Sequence, residues 1–468
     1  MIEVKVAEKL YITNPSWELL DWCEKELIIS NPEYAKKQRM GFWVGDTPKK
    51  LYLYEMVAGT LVLPYGMISQ IPKEFLDKAV VRNALCEPES VDFGGRDIPL
   101  YKYQKEAVDA AQRAHFGIIQ SAAGSGKTQM GLALIKRFGN RALWLTHTVD
   151  LLNQSKTRAM EYIDEDKIGT ITAGKVDIGS GVTFATIQTM CKLNLEQYKD
   201  LWNVIIVDEC HRCCGTPTAV TRFYKVLNNL SAAHKYGLSA TVHRSDGLIK
   251  ATFAMLGNIV HTVPSEAVEE LVVKVGVLPV STGTKLSERC LNTDGTLNYV
   301  QLINYLAEDQ ERNEVIVDNI LDNVDCSSLI LSDRIEHLKT LMAMLPEEER
   351  EKAVLVTGKM TSRTGKEQRL KAIDDMRTGN KKYLFASYSL AKEGLDIPCL
   401  ERLYMATPVK DYAVVTQSIG RIARSYPGKD DPIVYDFVDS IRYLIRAYKK
   451  RCATYRKNGC YWIGEEDE

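Results

Sequence analysis

The chain reads as an α/β protein built on two tandem parallel sheets, with a small α+β segment in front and a basic helix behind. Two observations predict this. After residue 98, short apolar runs recur, each followed by a longer segment of helical pattern: FGIIQ, ALWLTH, VTFAT, VIIVDE and YGLSAT, then SSLILSD, AVLVTG, KYLFASY, RLYMATP and PIVYDFVD. Such alternation marks parallel strands joined by crossover helices, and two series of this size make two domains rather than one oversized sheet. The length agrees, because 468 residues exceed what one core usually serves.

Residues 1–98 mix the β-like runs LYLYEMV and GTLVLPYG with the helical stretch WELLDWCEKEL, and end in EPESVDFGGRD, a polar piece expected to be a linker. The first sheet domain is expected over 99–265 and the second over 266–440. Their boundary falls near Ser265, between the helix-like ATFAMLG and the β-branched run LVVKVGVLPV. The tail, 441–468, opens with IRYLIRAYKKRCATYRK, which carries seven Lys or Arg, no acid, and Tyr443, Tyr448 and Tyr455. Positions 441, 444/445, 448, 452 and 455 share one helical face, so the helix is expected to dock on the second domain. Its basic face either binds nucleic acid or is simply solvated, and docking is compatible with both.

Composition bounds the class. The chain is 45% hydrophobic and 26% charged, which is globular, and 60 Lys plus Arg face 61 Asp plus Glu. Net charge therefore announces no polyanion partner, and any basic surface must be local. No stretch approaches the ~18 to 20 apolar residues of a membrane span, and MIEVKVAEKLYI lacks the pattern of a secretory signal. Eleven scattered cysteines without a framework spacing point to a reducing cytoplasm.

SAAGSGKT, Ser121 to Thr128, lies between the strand FGIIQ and the helical QMGLALIKRF. A loop in that position aims successive backbone N–H groups at phosphates, helped by the positive helix N-terminus. Ala123, Gly124, Ser125 and Gly126 would form the cradle, with the two glycines allowing its tight path. Lys127 would reach the β- and γ-phosphates of ATP, and the Thr128 hydroxyl would ligate Mg²⁺. The strict pattern has Gly where this chain has Ser121.

VIIVDECHRCCG, Val204 to Gly215, admits two readings, a zinc knuckle or the acidic end of a buried strand. Zinc usually takes two separated ligand pairs, and the adjacent Cys213 and Cys214 are poorly placed to chelate one ion, so no zinc is expected. The carboxylates just past VIIV suit the other reading: Asp208 would hold the metal through water, and Glu209 would polarise the attacking water.

Taken in order, SAAGSGKT, DECH at 208–211, SAT at 239–241 and QSIGRIAR at 417–424 resemble the motifs of superfamily 2 helicases. DECH with QSIGRIAR is more similar to the XPB, RecG and phage UvsW group than to DEAD-box RNA helicases. ASYSLAKEGLDIP followed by VKDYAVVTQSIGRIAR is especially similar to phage branch-migration DNA helicases. The resemblance implies two RecA-like domains and an ATP-dependent motor on duplex or branched DNA. It also implies roles for single residues. Gln104, with Tyr101 or Tyr103, would read the adenine; Gln417 would face the γ-phosphate; Arg421 and Arg424 would be arginine fingers. Ser239, Ala240 and Thr241 would couple the nucleotide site to the DNA track, although Val242 departs from the family's usual SATP.

On the track, THTVDLLNQ, FATIQTM and ASYSLAKEG would meet DNA phosphates through His147, Thr186, Gln188 and Ser387, indifferent to sequence. Thr186 equally fits an ordinary helix cap. In the front segment, NPEYAKKQRMGFWVGDTPKK is locally basic around Phe42 and Trp43; it suits a DNA-recognition surface or the edge of a small core. Alternatives to the branched-DNA motor are the translocating subunit of a restriction complex, an RNA helicase, or an ATP-binding switch that never translocates.

Overall fold

Strict alternation of buried and outward residues marks the first two strands. Strand β1 (Glu3–Val6) buries Val4 and Val6, and β2 (Lys9–Thr13) buries Leu10 and Ile12. The computed structural model describes residues 2–464 except 78, 123, 243–245, 265–266, 268–272, 359, 361–362, 393–394 and 396. Ala123 and the boundary expected at Ser265 therefore lie outside the described residues, as does part of ASYSLAKEGLDIP. Strands β3 (Ile28–Ser30) and β4 (Lys50–Tyr52) form a separate antiparallel pair. With β5 (Glu55–Val57), β6 (Thr60–Pro64) and β7 (Val80–Asn83), the five-stranded front sheet runs β5-β6-β2-β1-β7. Helix Trp17–Glu26 starts where the Ser16 side chain accepts a hydrogen bond from the Leu19 N–H.

Met1–Ala122 and Gly126–Pro264 form one compact unit, and Ser265–Glu468 belong to a second. The larger sheet of the first unit contains β8 (Gly117–Gln120), β9 (Ala142–Thr146), β10 (Ile168–Thr172), β11 (Lys175–Asp177), β12 (Val182–Thr186), β13 (Val204–Asp208), β14 (His234–Ser239) and β15 (Ile259–Thr262). Their order is β11-β10-β12-β9-β13-β14-β8-β15, parallel except for the β10–β11 hairpin. All five residues of β13 are buried, as expected of a central strand covered by helices on both faces.

The second unit holds one parallel sheet, β18-β19-β17-β20-β21-β16-β22. It comprises β16 (Gly276–Ser281), β17 (Ser328–Ser332), β18 (Ala353–Val356), β19 (Tyr383–Ser387), β20 (Arg402–Met405), β21 (Ile433–Val438) and β22 (Tyr461–Trp462). The basic tail helix, Arg442–Lys457, buries Leu444, Ala447, Thr454 and Tyr455. One of its cations is also inside: Arg451 is 2% exposed and grips both oxygens of Asp436 at 2.7 and 2.8 Å. Tyr455 adds a third hydrogen bond to that carboxylate, at 2.8 Å. A second buried pair, Arg312 with Asp439 at 2.7 Å, ties helix Gln310–Leu321 to the end of β21. Among the described residues no helix is long and apolar enough to cross a membrane.

In the first unit the front sheet and the larger sheet share a core. Leu10, Ile12, Leu61 and Leu63 pack in one cluster with Ala251 and Ala254 of helix Ile249–Leu256. The Tyr65 hydroxyl donates to the Ala233 carbonyl at 2.9 Å, and its ring meets Phe116 edge-on. Lys235 is fully buried in this seam. Its Nζ donates to the Leu227 carbonyl at 2.9 Å, reaches the Glu8 carbonyl at 3.4 Å and lies over the Tyr65 ring. Burial pushes that ammonium down to about 7, with Glu8 acting the other way. The piece expected as a linker is also docked: the Val91 N–H donates to the Gly139 carbonyl, and Lys136 Nζ donates to the carbonyls of Gly94 and Arg96. At Gly66 the front segment meets helix Ile249–Leu256 backbone to backbone. A Cβ there would stand 2.3 Å from the Gly257 nitrogen and 2.6 Å from the Phe253 carbonyl oxygen, both backbone atoms that cannot yield cheaply. Gly66→Ala is expected to destabilise the first unit by ~1–3 kcal/mol, read as a lower melting temperature in calorimetry.

Candidate active site

Parallel strands deliver their C-terminal ends to one edge of a sheet, and those ends and the segments that follow them hold the predicted residues of the first unit other than Gln104. After β8 the chain turns through Gly124 (φ +83°) and Gly126 (φ +79°) into helix Lys127–Phe138. Ser121, where the strict motif has Gly, does not have a positive φ, so a side chain costs nothing there. It is buried, and its N–H donates to the Ser239 carbonyl at 3.0 Å, tying the loop to the end of β14. Lys127 opens the helix and folds back over the loop, donating to the carbonyls of Ser121 (3.3 Å) and Ala122 (3.2 Å). Thr128 is half-buried in the first helical turn.

Gly126 has a second reason to be glycine: a Cβ there would lie 2.3 Å from Gln104 Nε2. Gln104 is 1% exposed, and its Oε1 accepts from the Tyr101 N–H at 2.9 Å in a capping box that starts helix Lys102–Ala114. The rings of Tyr101 and Tyr103 stack nearly parallel, with centroids 5.9 Å apart.

Asp208 is the last residue of β13. Glu209 follows in the left-handed region (φ +50°), a strained backbone for a residue with a Cβ, and turns the chain sharply into the short helical turn Cys210–Arg212. Both carboxylates are thereby held at the strand end. Burial first, and Glu209 next, push the Asp208 carboxyl well above the usual carboxylate range, with Lys127 acting against them. His211 Nδ1 lies 3.2 Å from Glu209 Oε2 and 2.9 Å from Ser239 Oγ. The Ser239 hydroxyl donates to the Thr241 carbonyl (2.7 Å) and accepts from the Thr241 N–H (3.2 Å). With that hydroxyl proton committed, His211 Nδ1 must be the donor to Ser239, and Glu209 Oε2 lies beside the same nitrogen. His211 thus joins DECH to SAT, a link that sequence reasoning missed. Cys210 and Cys213 are fully buried in the apolar core beside Met255 and Leu256. Among the described residues no three His, Cys, Asp or Glu side chains converge to hold a metal ion.

Along the same edge, His147, Thr186 and Gln188 line one cavity of about 460 Å³, together with Thr148, Thr172 and Lys192. Thr186 sits at the N-cap of helix Ile187–Met190, and Gln188 Nε2 donates to the His147 carbonyl at 2.6 Å. The His147 ring is buried and neither nitrogen has a hydrogen-bond partner; burial pushes it down to about 4. Thr172 and Lys192 escaped the sequence reading because neither belongs to a motif.

The remaining predicted residues stand on the second unit. Gln417 lies on helix Tyr412–Ile422, 7% exposed, with its Oε1 buried and without a hydrogen-bond partner. Arg421 donates through Nε to the Ala391 carbonyl (2.8 Å) and through Nη1 to that of Leu395 (2.9 Å). Arg424, half-buried, follows the helix end. Lys429, which the sequence did not single out, donates to the carbonyls of Arg424 (2.8 Å) and Ile422. Ser387 Oγ lies 2.9 Å from Ser389 Oγ.

Residues 97–244 match the family described as Type III restriction enzyme, res subunit, and residues 311–426 match the Helicase conserved C-terminal domain. A protein of Escherichia phage T5 named "Probable helicase D10" is 24% identical over 449 residues, covering 93% of this chain and 95% of its own. The DNA 3'-5' translocase XPB2 of Sulfurisphaera tokodaii is 26% identical over 365 residues (71% of this chain, 80% of its own). The ATP-dependent DNA helicase uvsW of Enterobacteria phage T4 is 24% identical over 418 residues (81% and 80%). With parallel-sheet units carrying the phosphate loop, DECH and QSIGRIAR in that order, the chain belongs to the superfamily 2 helicases, which hydrolyse ATP to act on nucleic acid.

Proposed function

We propose that this helicase is a DNA motor that remodels branched structures such as forks and junctions, in recombination, repair or replication. The observation that carries this reading is the line Glu209–His211–Ser239–Thr241, a close contact at Glu209 and hydrogen-bonded beyond it, which leads away from the carboxylates beside Lys127. Such a line lets the state of the nucleotide site act on the strand-end edge where His147, Thr186 and Gln188 gather. DNA rather than RNA is favoured by the names of the uvsW and XPB2 relatives.

The residues suit ATP and Mg²⁺. Gly124 and Gly126 take the left-handed turns of a phosphate cradle, a Cβ at 126 would press on Gln104, and Asp208 carries a carboxyl whose charge burial opposes until a cation answers it. Thr128 and Asp208 would hold the metal, which neutralises charge on the phosphates when bound. Lys127 would grip the phosphates and Glu209 would orient the attacking water; Gln417, Arg421 and Arg424 would supply polar and positive groups to the transferring phosphoryl. The duplex-translocating subunit of a restriction complex is a second reading, favoured by the family description over residues 97–244.

ATP turnover measured with no nucleic acid, single-stranded DNA, linear duplex, a synthetic four-way junction and single-stranded RNA separates these readings. Greatest stimulation by the junction is expected; linear duplex doing as well favours the restriction motor, and stimulation by RNA alone overturns the proposal. Glu209→Gln should lower kcat by ~10²–10⁴-fold while nucleotide binding, followed by a fluorescent ATP analogue, persists. Gly126→Ala should instead weaken nucleotide binding, by roughly 5- to 150-fold for ~1–3 kcal/mol of backbone strain, in the same assay.

A further inference from the structure

Helix Pro32–Arg39 buries none of its residues, and the turn after it carries Phe42 at 62% and Trp43 at 86% exposure. Such exposure excludes the edge-of-core reading of these aromatics, which leaves their position to be explained. The turn is built, not frayed. The Phe42 N–H donates to the Lys37 carbonyl at 2.9 Å, and Gly41 takes a left-handed φ of +67°, which closes the helix end. Lys37 reaches across to Thr47 Oγ1 (2.7 Å), while Asn31 donates through Nδ2 to the Pro48 carbonyl (2.7 Å), so both ends of the loop are pinned. Gly45 lies under the indole: a Cβ there would sit 2.7 Å from the Trp43 ring. The outer edge of the ring thus passes close over Gly45, which limits its rotation, and the rest is presented to solvent.

Charge selects the occupant. Lys36, Arg39, Lys49 and Lys50 are exposed on the segment that carries the two aromatics; of its two acids, Glu33 is engaged by Lys37 at 3.1 Å and Asp46 is exposed, so the segment keeps an excess of positive charge. A cationic rim beside a fixed aromatic plane suits a ligand with both phosphates and an accessible π-face. Paired bases inside a duplex hide their faces from such a plane; an unpaired base offers one. We infer that Trp43, supported by Phe42, is a stacking site for an unpaired nucleotide of single-stranded or forked DNA, gripped by phosphate contacts from Lys36, Arg39, Lys49 and Lys50. It rests on the reading of the protein as a DNA motor, and it names the element of the substrate that the front segment holds.

The test uses the full chain, with fluorescence anisotropy on a labelled fork, a single strand and a blunt duplex, and with 2-aminopurine placed among the unpaired bases. Trp43→Ala should weaken binding to the fork and the single strand by roughly 5- to 150-fold, from the usual worth of one base–aromatic stack, and abolish quenching of the 2-aminopurine. Trp43→Phe should restore most of both. Thermal melting checks that each variant is folded, as expected for an exposed site. Fork and single-strand binding by Trp43→Ala as tight as wild type overturns the site and leaves the aromatics as a contact for a protein. A wild-type protein that prefers no fork, yet loses single-strand binding with Trp43→Ala, removes the branched-substrate reading and keeps the stacking site.

Discussion

A carboxylate at the dry end of a central strand is expensive unless a cation answers it, and the first unit is organised around that cost. Asp208 stands there because β13 is buried along its whole length, so the strand cannot move outward to hydrate its last residue. Lys127 supplies part of the answer from the neighbouring loop, and Glu209 opposes it. The left-handed turn at Glu209 is tolerated because β13, its partner β14 and the His211–Ser239 link fix the chain on both sides. A single electrostatic demand therefore explains the strained turn, the folded-back lysine and the tie between two motifs far apart in sequence.

The second unit shows the opposite use of buried charge. Arg451 holds both oxygens of Asp436 and Arg312 holds one of Asp439, and a further donor of each reaches the carbonyl of Val409 or Ala406, while Arg312 Nη2 and Asp439 Oδ2 stay buried without a hydrogen-bond partner. Buried pairs of this kind add little net stability over apolar packing, but removing one partner strands the other. Their worth lies in specificity of placement. They seat helix Gln310–Leu321 and the tail helix on one sheet, and β22 then continues that sheet at its edge.

Much of this was legible because parallel strands covered on both faces write themselves as continuous apolar runs. Each run named from the sequence coincides with a strand, from β8 to β21. What escaped has physical reasons. The β10–β11 hairpin and β15 carry Thr, Gly, Lys and His where apolar residues were sought, since they lie toward the edges of the sheet. EPESVDFGGRD looked like a linker by composition, yet its backbone groups find partners on the first unit. The tail's basic composition could not reveal that Arg451 is internal, because burial of one cation depends on a carboxylate fifteen positions upstream. At the candidate site, glycine spacing and strand-end acids singled out Lys127, Asp208 and Glu209, and the resemblance singled out Ser239, while His211 as the joint and Lys429 as the brace of the arginine-bearing helix end depend on distances no motif encodes.

The seam around Gly66 and Lys235 has a mechanical meaning. With backbone against backbone at Gly66, and an ammonium buried between the two sheets, the contact has little compliance. The front sheet and the larger sheet are therefore expected to move as one body, so that a load held by the first is felt by the second.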